Sequence, residues 1–531
     1  MLQTVRSFHG AVTAPHHLAA RAGLRVLQEG GNAIEAMIAA ASTIAVVYPH
    51  MNSIGGDNFW LIHAPGRGVN GIDACGNAAQ AADPQFYRNQ DQSSIPNRGP
   101  LAALTVAGAV SGWQRALQLS SDDWGGRLPL SRLLEDAEFY ARDGVAVTGT
   151  QAHNTSLKLE QLMDVPGFAE TYLMDGKVPT VGVRFRQPRL ADTLERLRRN
   201  GLDDFYRGSL AKDIAADLET AGSPLRLDDL QRFHARGVTP LSVEVSGHTV
   251  FNMPPPTQGL ASLILLGVFD RLGVTRAEGF EFIHALVEST KCAFRVRDRH
   301  LTDPDYMQVD PRSFLTADAL VAMAKQVRRD RAAPWPRDPS GGDTVWLSAA
   351  DREGRMVSFI QSLYWEFGAG LVLENTGITW QNRGTSFSLD PKHHNCLAPL
   401  RRPFHTIQPA LAHLNDGRVM TYGTMGGEGQ PQTQAMVFAR HVLFNQELQQ
   451  AVTAPRWLLG RTWGEESTSL KIENRIDPAV CERLRDAGHD VAVIGAYEGD
   501  VTGHAGSLVR HTDGLIEGAT DPRSDGAVAA A

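Results

Sequence analysis

The order of apolar and polar positions along the chain predicts a mixture of helices and antiparallel strands. Apolar residues recur at helical spacing in some segments and alternate with polar residues in others. The predicted helices are Leu18–Gln28, Ala33–Val47, Leu128–Asp143, Leu190–Asn200, Asp203–Ala221, Gln258–Leu272, Glu281–Arg299, Gln434–Asn445 and Pro478–Ala487. The predicted strands are Phe59–His63, Val243–Met253, Val345–Ala349, Arg355–Leu363, Leu371–Trp380, Val419–Gly423 and a final hairpin over Gly506–Gly518.

Two early segments are informative about the core and about ligands. Ala33–Val47 is apolar on nearly all sides, which predicts a buried core helix. The loop at 52–56 contains two glycines, but it precedes a strand and has no lysine of the kind found in phosphate-binding loops. We therefore exclude nucleotide binding at this loop.

Composition limits the class of protein. The chain has 531 residues, 42% of them apolar and 21% charged, and a net charge of −8. This is typical of a soluble globular protein of up to three domains or one large α/β unit, and it gives no electrostatic case for nucleic-acid binding. The sequence indicates no signal segment and no membrane span, so we expect a cytoplasmic protein.

The four cysteines are scattered and form no closely spaced pair. They are Cys75, Cys292, Cys396 and Cys481. This spacing argues against a disulfide framework and against a zinc site, and it fits a reducing compartment.

The candidate chemistry lies at Thr344. Val345–Ala349 and Arg355–Leu363 predict a hairpin that turns at 351–354. Residues 328–343, RRDRAAPWPRDPSGGD, are rich in Pro, Arg, Asp and Gly and predict a mobile linker. A linker that enters a strand at Thr344 is a plausible place for chain cleavage, although an ordinary turn before a strand has the same local sequence.

Cleavage before Thr344 would make one residue both nucleophile and base. A threonine hydroxyl needs a base to remove its proton. The α-amino group that cleavage creates titrates near pH ~8, so it is a usable base at neutral pH. Before cleavage, the same hydroxyl could attack the carbonyl carbon of Asp343 and form an ester that water then opens.

Several blocks of the sequence resemble the γ-glutamyltranspeptidase family of N-terminal-nucleophile hydrolases. They occur in the family's order and together span essentially the whole chain. The blocks are Val26–Ile62, Asn252–Leu266 (NMPPPTQGLASLILL), the segment around Thr344, Arg401–Leu411 (RRPFHTIQPAL), Tyr422–Gly429 (YGTMGGEG) and Gly518–Gly526 (GATDPRSDG). The resemblance implies a four-layer αββα sandwich and a threonine nucleophile at Thr344.

The same resemblance implies two chains cut from one precursor, 1–343 and 344–531, which fold together as one αββα unit. It also implies that Ser362 takes the place of a second threonine that contacts the nucleophile, and that the N–H groups of Gly426 and Gly427 form the oxyanion hole. From the sequence alone, Ser362 could equally be a polar residue on the outer face of a strand, and the glycines a simple turn. We expect no metal and no cofactor, and we leave open an oligomer of such heterodimers.

The residues that recognise the γ-glutamyl group in this family are almost wholly replaced. Cys75 stands at the position of a carboxylate-binding arginine, and Tyr364 stands at that of an asparagine. Arg383 and Ser386 replace a glutamine and an aspartate, and His405 and Thr406 replace two serines. Arg383 could instead form a surface salt bridge, and His405 could be a satisfied core histidine.

A bulky and cationic pocket favours a small anionic amide over a γ-glutamyl chain. The sequence resembles most the oxamate-cleaving branch of the family, which implies hydrolysis of oxamate to oxalate and ammonia in purine and allantoin catabolism. Three alternatives stay open: a γ-glutamyl hydrolase or transpeptidase, an acylase of glutaryl-type amides, and a binding protein without catalysis.

Overall fold

The computed structural model describes residues 2–335, 343–460 and 467–531. Its strands are β1 (Val5–Ser7), β2 (Gly10–Ala14), β3 (Asp57–Ala64), β4 (Gly68–Ala74), β5 (Val145–Ala146), β6 (Arg184–Phe185), β7 (Arg236–Val238), β8 (Leu241–Val245), β9 (His248–Asn252), β10 (Asp343–Asp351), β11 (Met356–Tyr364), β12 (Ala410–His413), β13 (Val419–Thr424), β14 (Trp457–Leu459), β15 (Leu470–Glu473), β16 (Val491–Ile494), β17 (Ala505–Arg510), β18 (Ile516–Thr520) and β19 (Ala527–Ala530).

The helices are α1 (His17–Gln28), α2 (Ala33–Val47), α3 (Pro84–Arg88), α4 (Ala109–Trp124), α5 (Leu130–Leu133), α6 (Glu135–Asp143), α7 (Gly149–Leu162), α8 (Phe168–Tyr172), α9 (Pro188–Asn200), α10 (Asp204–Arg207), α11 (Ser209–Ala221), α12 (Leu227–Arg232), α13 (Gly259–Asp270), α14 (Gly279–His300), α15 (Ala317–Ala324), α16 (Gln430–Phe438), α17 (Leu448–Thr453), α18 (Pro478–Asp486) and α19 (Gly499–Thr502). Short 3₁₀ turns occur at Pro100–Ala102, Pro304–Tyr306, Pro311–Leu315, Arg383–Ser386 and Gly427–Gly429, and a π-helical turn follows α16 at Ala439–Leu443. Among the described residues, no helix is both long and apolar enough to cross a membrane.

Two seven-stranded antiparallel sheets form the centre of the described structure. The first sheet has the order β1-β18-β17-β13-β12-β9-β8, and the second has the order β19-β2-β10-β11-β3-β4-β7. In both sheets, strands from before residue 344 pair directly with strands from after it, as β1 does with β18 and β3 with β11. The two parts of the sequence therefore share one set of backbone hydrogen bonds.

The two sheets pack face to face with helices on both outer sides. Phe59, Leu61, Trp346, Ile360 and Leu411 belong to the apolar cluster between the sheets. Helices α1, α2 and α4 cover the second sheet, and α13, α14 and α16 cover the first. The expected four-layer αββα sandwich is confirmed.

Helix α2 is the predicted core helix, and it also fixes the hairpin at the site. All of its residues are buried. Asn32 and Glu35 form a capping box at its start, which satisfies backbone N–H groups that a helix cannot pair internally. The next free donor, the N–H of Ala33, donates to the carboxylate of Asp351 at 3.0 Å. The turn between β10 and β11 is thereby attached to the helix layer.

Some predicted boundaries were wrong, and local chemistry explains the differences. The segment predicted as one strand at Val243–Met253 turns at Ser246-Gly247 and forms β8 and β9. The predicted strand Leu371–Trp380 is a turn-rich loop, in which the pairing of Val372 with Thr379 is an isolated bridge. Three predicted helices differ: Leu128–Asp143 divides at Leu134, Asp203–Ala221 divides at Gly208, and Gln434–Asn445 begins four residues earlier and ends in the π-helical turn.

Part of the predicted linker can be described. Residues 336–342 lie outside the described residues, whereas 328–335 lie along α14. The imidazole of His284 contacts the carbonyl oxygen of Arg328 at 2.7 Å. The Lys291 ammonium donates to the carbonyl oxygen of Ala333 at 2.7 Å, and Glu288 accepts from the N–H of the same residue at 3.1 Å.

We predict that the space around Trp346 between the sheets tolerates no added methyl group. A Cβ on Gly423 of the first sheet would lie 2.2 Å from Cδ1 of the Trp346 ring. Gly423→Ala should lower the free energy of unfolding by about 1–3 kcal/mol through overpacking. Gly149→Ala is the control, because a Cβ there meets nothing within 4 Å. Equal melting temperatures for the two variants would contradict the prediction.

Candidate active site

Positions on three neighbouring strands, and one position directly after a fourth strand, place their side chains in one row between the two sheets. Strand β10 pairs Asp343 with Tyr364 and Val345 with Gln361, so Thr344 lies at an irregularity opposite Ser362. Ser362 pairs with Asp57 on β3, and the pairing of Asn58 with Ala74 places Cys75 opposite Asp57. Directly opposed residues share one face of a sheet, so this row faces the first sheet. We call Thr344, Ser362, Asp57 and Cys75 the inner row.

Thr344 is fully buried, and its hydroxyl has a polar contact. The amide Nε2 of Gln430, the first residue of α16, donates to Thr344 Oγ1 at 3.3 Å. On the next strand, Ser362 Oγ accepts from the N–H of Tyr364 at 2.7 Å. Ser362 is buried and lies two residues after Ile360, which belongs to the cluster between the sheets, so Ser362 is on the inner face of the sheet and not on the outer face.

Gly426 and Gly427 reach the site from the first sheet, just after β13. Both have positive φ angles, 110° and 48°, a backbone region that disfavours side chains. A Cβ at Gly426 would meet Gly503 Cα at 3.4 Å, an ordinary contact distance, so conformation explains the glycine here better than lack of space. The turn leads into α16, whose first residue Gln430 contacts Thr344 Oγ1, so the two glycines lie close in sequence to a residue that touches Thr344.

Gln258 connects the glycine turn to the predicted substrate pocket. Its side-chain Nε2 donates to the carbonyl oxygen of Gly427 at 2.7 Å and to that of Thr406 at 2.6 Å. Its Oε1 accepts from Arg297 at 3.2 Å. The side-chain amide of Gln258 therefore bridges the carbonyl oxygens of Gly427 and Thr406 and holds the glycine turn close to Thr406.

Arg383 is buried with part of its hydrogen-bonding capacity unused. Its Nη1 donates to Thr406 Oγ1 at 3.0 Å, and its guanidinium carbon lies 3.7 Å from the centre of the Tyr364 ring. Its Nε and Nη2 make no hydrogen bond within the described part of the chain. Burial lowers the pKa of Arg383 to about 10, so the group is still a cation at neutral pH. The surface salt bridge considered for Arg383 is excluded.

His405 lies against Asp57 in the same pocket. Its Nε2 is 3.1 Å from Asp57 Oδ2, and the edge of its ring packs on Phe59. Its Nδ1 is buried without a hydrogen-bond partner in the described residues, so His405 is only half satisfied. Burial and the Arg383 charge hold the pKa of His405 well below its ordinary value. His405 is therefore neutral at physiological pH.

Asp57 was missed by the sequence reasoning, although it has the best-connected carboxylate in the pocket. Its Oδ1 accepts from the backbone N–H of Gly76 and of Gly108 and from Nε2 of Gln381, at 3.0–3.1 Å. Burial nevertheless raises the pKa of Asp57 to about 7. One sequence signal points to it: an aspartate directly follows the glycine pair at 55–56, inside a block that the resemblance covers.

The remaining predicted pocket residues are divided between the buried pocket and an adjoining cavity. Tyr364 and Thr406 contact Arg383 as described above. Ser386 lies farther along the 3₁₀ turn, where its hydroxyl donates to the carbonyl oxygen of Phe404 at 3.0 Å. It lines a cavity of about 550 Å³ that also touches Thr385, Phe404 and Glu428. Because these residues adjoin Arg383, His405 and Gly427 in sequence, we call this cavity the vestibule.

Two groups of side chains in the described residues could offer ligands to a metal ion. Asp57, Cys75 and His405 form one group, and His284, Glu288 and His489 form the other. In the second group, the two imidazoles already contact each other at 2.8 Å and Glu288 binds Lys291 at 2.7 Å. In the first, the neighbouring guanidinium of Arg383 opposes a cation. Neither arrangement favours a resident metal.

The raised pKa of Asp57 predicts a pH-dependent contribution to stability. The folded protein holds a proton on Asp57 that the unfolded chain releases above about pH 4, so this contribution falls as pH rises from about 4 to about 7. Asp57→Asn removes the contribution. The melting temperature of the wild type should therefore fall relative to that of Asp57→Asn across this window.

Differential scanning fluorimetry at intervals from pH 4.5 to 8 measures the effect. Asp513→Asn, an exposed carboxylate in the turn between β17 and β18, controls for the general change in charge. Parallel curves for wild type and Asp57→Asn would show that Asp57 titrates in its ordinary range.

Comparisons with known proteins agree with this geometry. The family model for gamma-glutamyltranspeptidase matches residues 19–531. The chain is 54% identical over 523 residues to the oxamate amidohydrolase proenzyme of Klebsiella pneumoniae, and the match covers 98% of each chain. It is 38% identical over 519 residues to the glutathione hydrolase-like YwrD proenzyme of Bacillus subtilis, and that match covers 97% of each chain. The crystal structure of a cephalosporin acylase from Bacillus halodurans superposes with a TM-score of 0.92 at 33% identity, covering 100% of this chain and 97% of the other. The chain belongs to the gamma-glutamyltranspeptidase family and has the fold of an amide-hydrolysing N-terminal-nucleophile enzyme.

Proposed function

We propose that this protein is an amidohydrolase that cuts itself before Thr344 and then hydrolyses a small anionic amide, with oxamate as the preferred substrate. The unused donors of Arg383 carry this proposal. A buried cation with two donor nitrogens that lack partners in the described residues is incomplete by itself, and a carboxylate supplies the matching charge and geometry. The Klebsiella relative, an oxamate amidohydrolase by name, adds support.

The chain of contacts that links Arg383 to the glycine turn supports a small substrate. Arg383 binds the hydroxyl of Thr406, whose carbonyl oxygen shares the Gln258 amide with Gly427. In this proposal, one small molecule places its carboxylate on Arg383 and its amide carbonyl oxygen at the N–H groups of Gly426 and Gly427. In oxamate the carboxylate and the amide carbonyl are directly bonded.

The mechanism uses groups of the chain alone. Thr344 Oγ attacks the amide carbon while the α-amine of Thr344, exposed by cleavage, takes the hydroxyl proton. The N–H groups of Gly426 and Gly427 stabilise the oxyanion. The intermediate collapses, the C–N bond breaks, and the nitrogen leaves as ammonia with the proton from the α-amine.

Water then completes the reaction. It attacks the ester on Thr344, again with the α-amine as base, and the acid is released. With oxamate, the sum is one oxamate and one water to one oxalate and one ammonium ion. Gln430, which donates to Thr344 Oγ1, keeps the hydroxyl oriented in this scheme.

Cleavage into two chains is part of the proposal. The relatives from Klebsiella and Bacillus are proenzymes by name, which supports processing of a precursor. Strands from the two sides of residue 344 pair with each other in both sheets, so the two chains would stay together. Sequencing the amino terminus of the smaller fragment should give Thr-Val-Trp.

An acylase of larger amides is the second candidate, and the vestibule favours it. A cavity of about 550 Å³ beside Gly427 has room for a large leaving group. A γ-glutamyl hydrolase or transpeptidase is the third. Release of ammonia or amine from oxamate, γ-glutamyl-p-nitroanilide and glutaryl-7-aminocephalosporanic acid, measured on one preparation, ranks the three by kcat/KM.

We predict that Thr344→Ala abolishes both chain cleavage and ammonia release, because it removes the only hydroxyl assigned to either reaction. Thr344→Ser keeps a hydroxyl and should retain both at a reduced rate. A denaturing gel and a coupled ammonia assay measure the two outcomes. Ammonia release by Thr344→Ala at the wild-type rate would remove Thr344 from the mechanism.

We also predict that Arg383→Met lowers kcat/KM for oxamate at least about 100-fold, because a buried carboxylate would lose its cationic partner. Oxamide is the matched control substrate, since it has the same carbon frame without the carboxylate. Its turnover should change much less. Equal losses of kcat/KM for the two substrates would mean that Arg383 supports the structure and does not bind the carboxylate of the substrate.

A further inference from the structure

The imidazole of His405 presents one buried nitrogen that nothing in the described structure uses. Its Nε2 faces Asp57 Oδ2 at 3.1 Å, while Nδ1 is buried and without a hydrogen-bond partner. Arg383 nearby has two donor nitrogens, Nε and Nη2, without a hydrogen-bond partner in the described residues. An unpaired buried polar atom is costly, so both sites are best explained by a ligand that completes them.

The contacts of Asp57 decide which proton His405 carries. Three N–H donors converge on Asp57 Oδ1, from Gly76, Gly108 and Gln381. That leaves Oδ2 as the oxygen that faces His405. When Asp57 is ionised, Oδ2 can only accept, so His405 must carry its proton on Nε2. The unpaired Nδ1 then offers a bare lone pair.

The other neighbours of His405 leave this lone pair unchanged. The ring edge packs against Phe59. The Cys75 thiol lies within 4.8 Å of both Asp57 and His405, but its contact is with the carbonyl oxygen of Gly76 at 3.8 Å. Arg383 is the nearby cation and disfavours a second positive charge on the imidazole. The pocket thus combines donors on Arg383 with one acceptor on His405.

We propose that His405 Nδ1 accepts a hydrogen bond from the N–H of the scissile amide, and that Asp57 is the positioning residue that keeps this nitrogen free of its own proton. This inference rests on the proposed function. It makes His405 a specificity-determining residue that selects amides over esters of the same acid. In oxamate, a carboxylate oxygen and the amide N–H can lie on one edge of the molecule. The oxygen can then accept from Arg383 while the N–H donates to His405 Nδ1.

Asp57→Asn gives the sharpest test, because it reverses the role of His405. The three N–H donors hold the oxygen of the new amide at the Oδ1 position, so its NH₂ group faces His405 Nε2. Nε2 must then accept, and the proton of the imidazole moves to Nδ1. An acceptor for an amide N–H becomes a donor, which suits the bridging oxygen of an ester.

The measured quantity is the ratio of kcat/KM for oxamate to kcat/KM for methyl oxalate monoanion. Both substrates give oxalate, which is measured by one assay after subtraction of spontaneous ester hydrolysis. Each variant supplies both rates from the same preparation, so the ratio does not depend on how much of it has matured. Assays at pH 8.5 keep Asp57 ionised, because its pKa is raised only to about 7.

We expect an ordered series. His405→Phe keeps a ring against Phe59 and removes both nitrogens, so the ratio should fall roughly tenfold through loss of one hydrogen bond. Asp57→Asn should lower it further, roughly 100-fold, since it places a donor against the amide N–H. Asp73→Asn changes a buried carboxylate that accepts from the Cys75 N–H, and should leave the ratio at the wild-type value.

Two outcomes overturn the inference: an unchanged ratio in Asp57→Asn, or a smaller fall in Asp57→Asn than in His405→Phe. Failure of the proposed function looks different. If the wild type releases no ammonia from oxamate, the substrate assignment falls. The ratio is then measured for the amide that the substrate screen turns over and for its matching ester, so the role of His405 is still decided.

Discussion

The pairing of β10 with β11 is the constraint on which the site depends. It places Thr344 at an irregular position in the middle of a seven-stranded sheet, beside Ser362 and two strands away from Asp57. A one-residue slip would turn each of these side chains to the helix side of the sheet. The contact between Asp351 and the start of α2 opposes such a slip, since it ties the hairpin turn to the most buried helix.

The second theme is a polar pocket enclosed by apolar layers. Arg383 and His405 are fully buried between the two sheets, where charges and unpaired polar atoms are costly. The chain offsets part of this cost internally, through the ring of Tyr364, the hydroxyl of Thr406 and the carboxylate of Asp57. Three polar atoms of these two residues have no hydrogen-bond partner in the described part of the chain: the donors Nε and Nη2 of Arg383 and the acceptor Nδ1 of His405. These two donors and one acceptor are the basis for choosing among substrates.

The sequence was informative where a signal is local and less so where it depends on contacts between distant segments. The all-apolar run at Ala33–Val47 and the hairpin after Thr344 could be predicted from periodicity. The resemblance placed Arg383, His405 and Gly426 at the site, although their burial and partners had to come from the structure. Leu371–Trp380 was misread because β-favouring residues also occur in buried loops, where tertiary contacts override local propensity.

Asp57 and Gln258 could not be assigned from spacing. Asp57 acquires its role from three donors that are 19, 51 and 324 residues away along the chain. Gln258 acts through two carbonyl oxygens that are 148 and 169 residues away. Neither residue type indicates a function until the sheets have brought these partners together.

The pairing of early strands with late strands in both sheets has a consequence for the lifetime of the folded molecule. If the bond before Thr344 is cut after folding, backbone hydrogen bonds between strands of the two fragments keep the fragments together. Once heat or denaturant has separated them, the two fragments would have to meet by diffusion before the strand pairs between them could form again. Such a protein folds once, as the uncut precursor, and its stability is then kinetic, because it is set by the rate at which the two fragments unfold and separate.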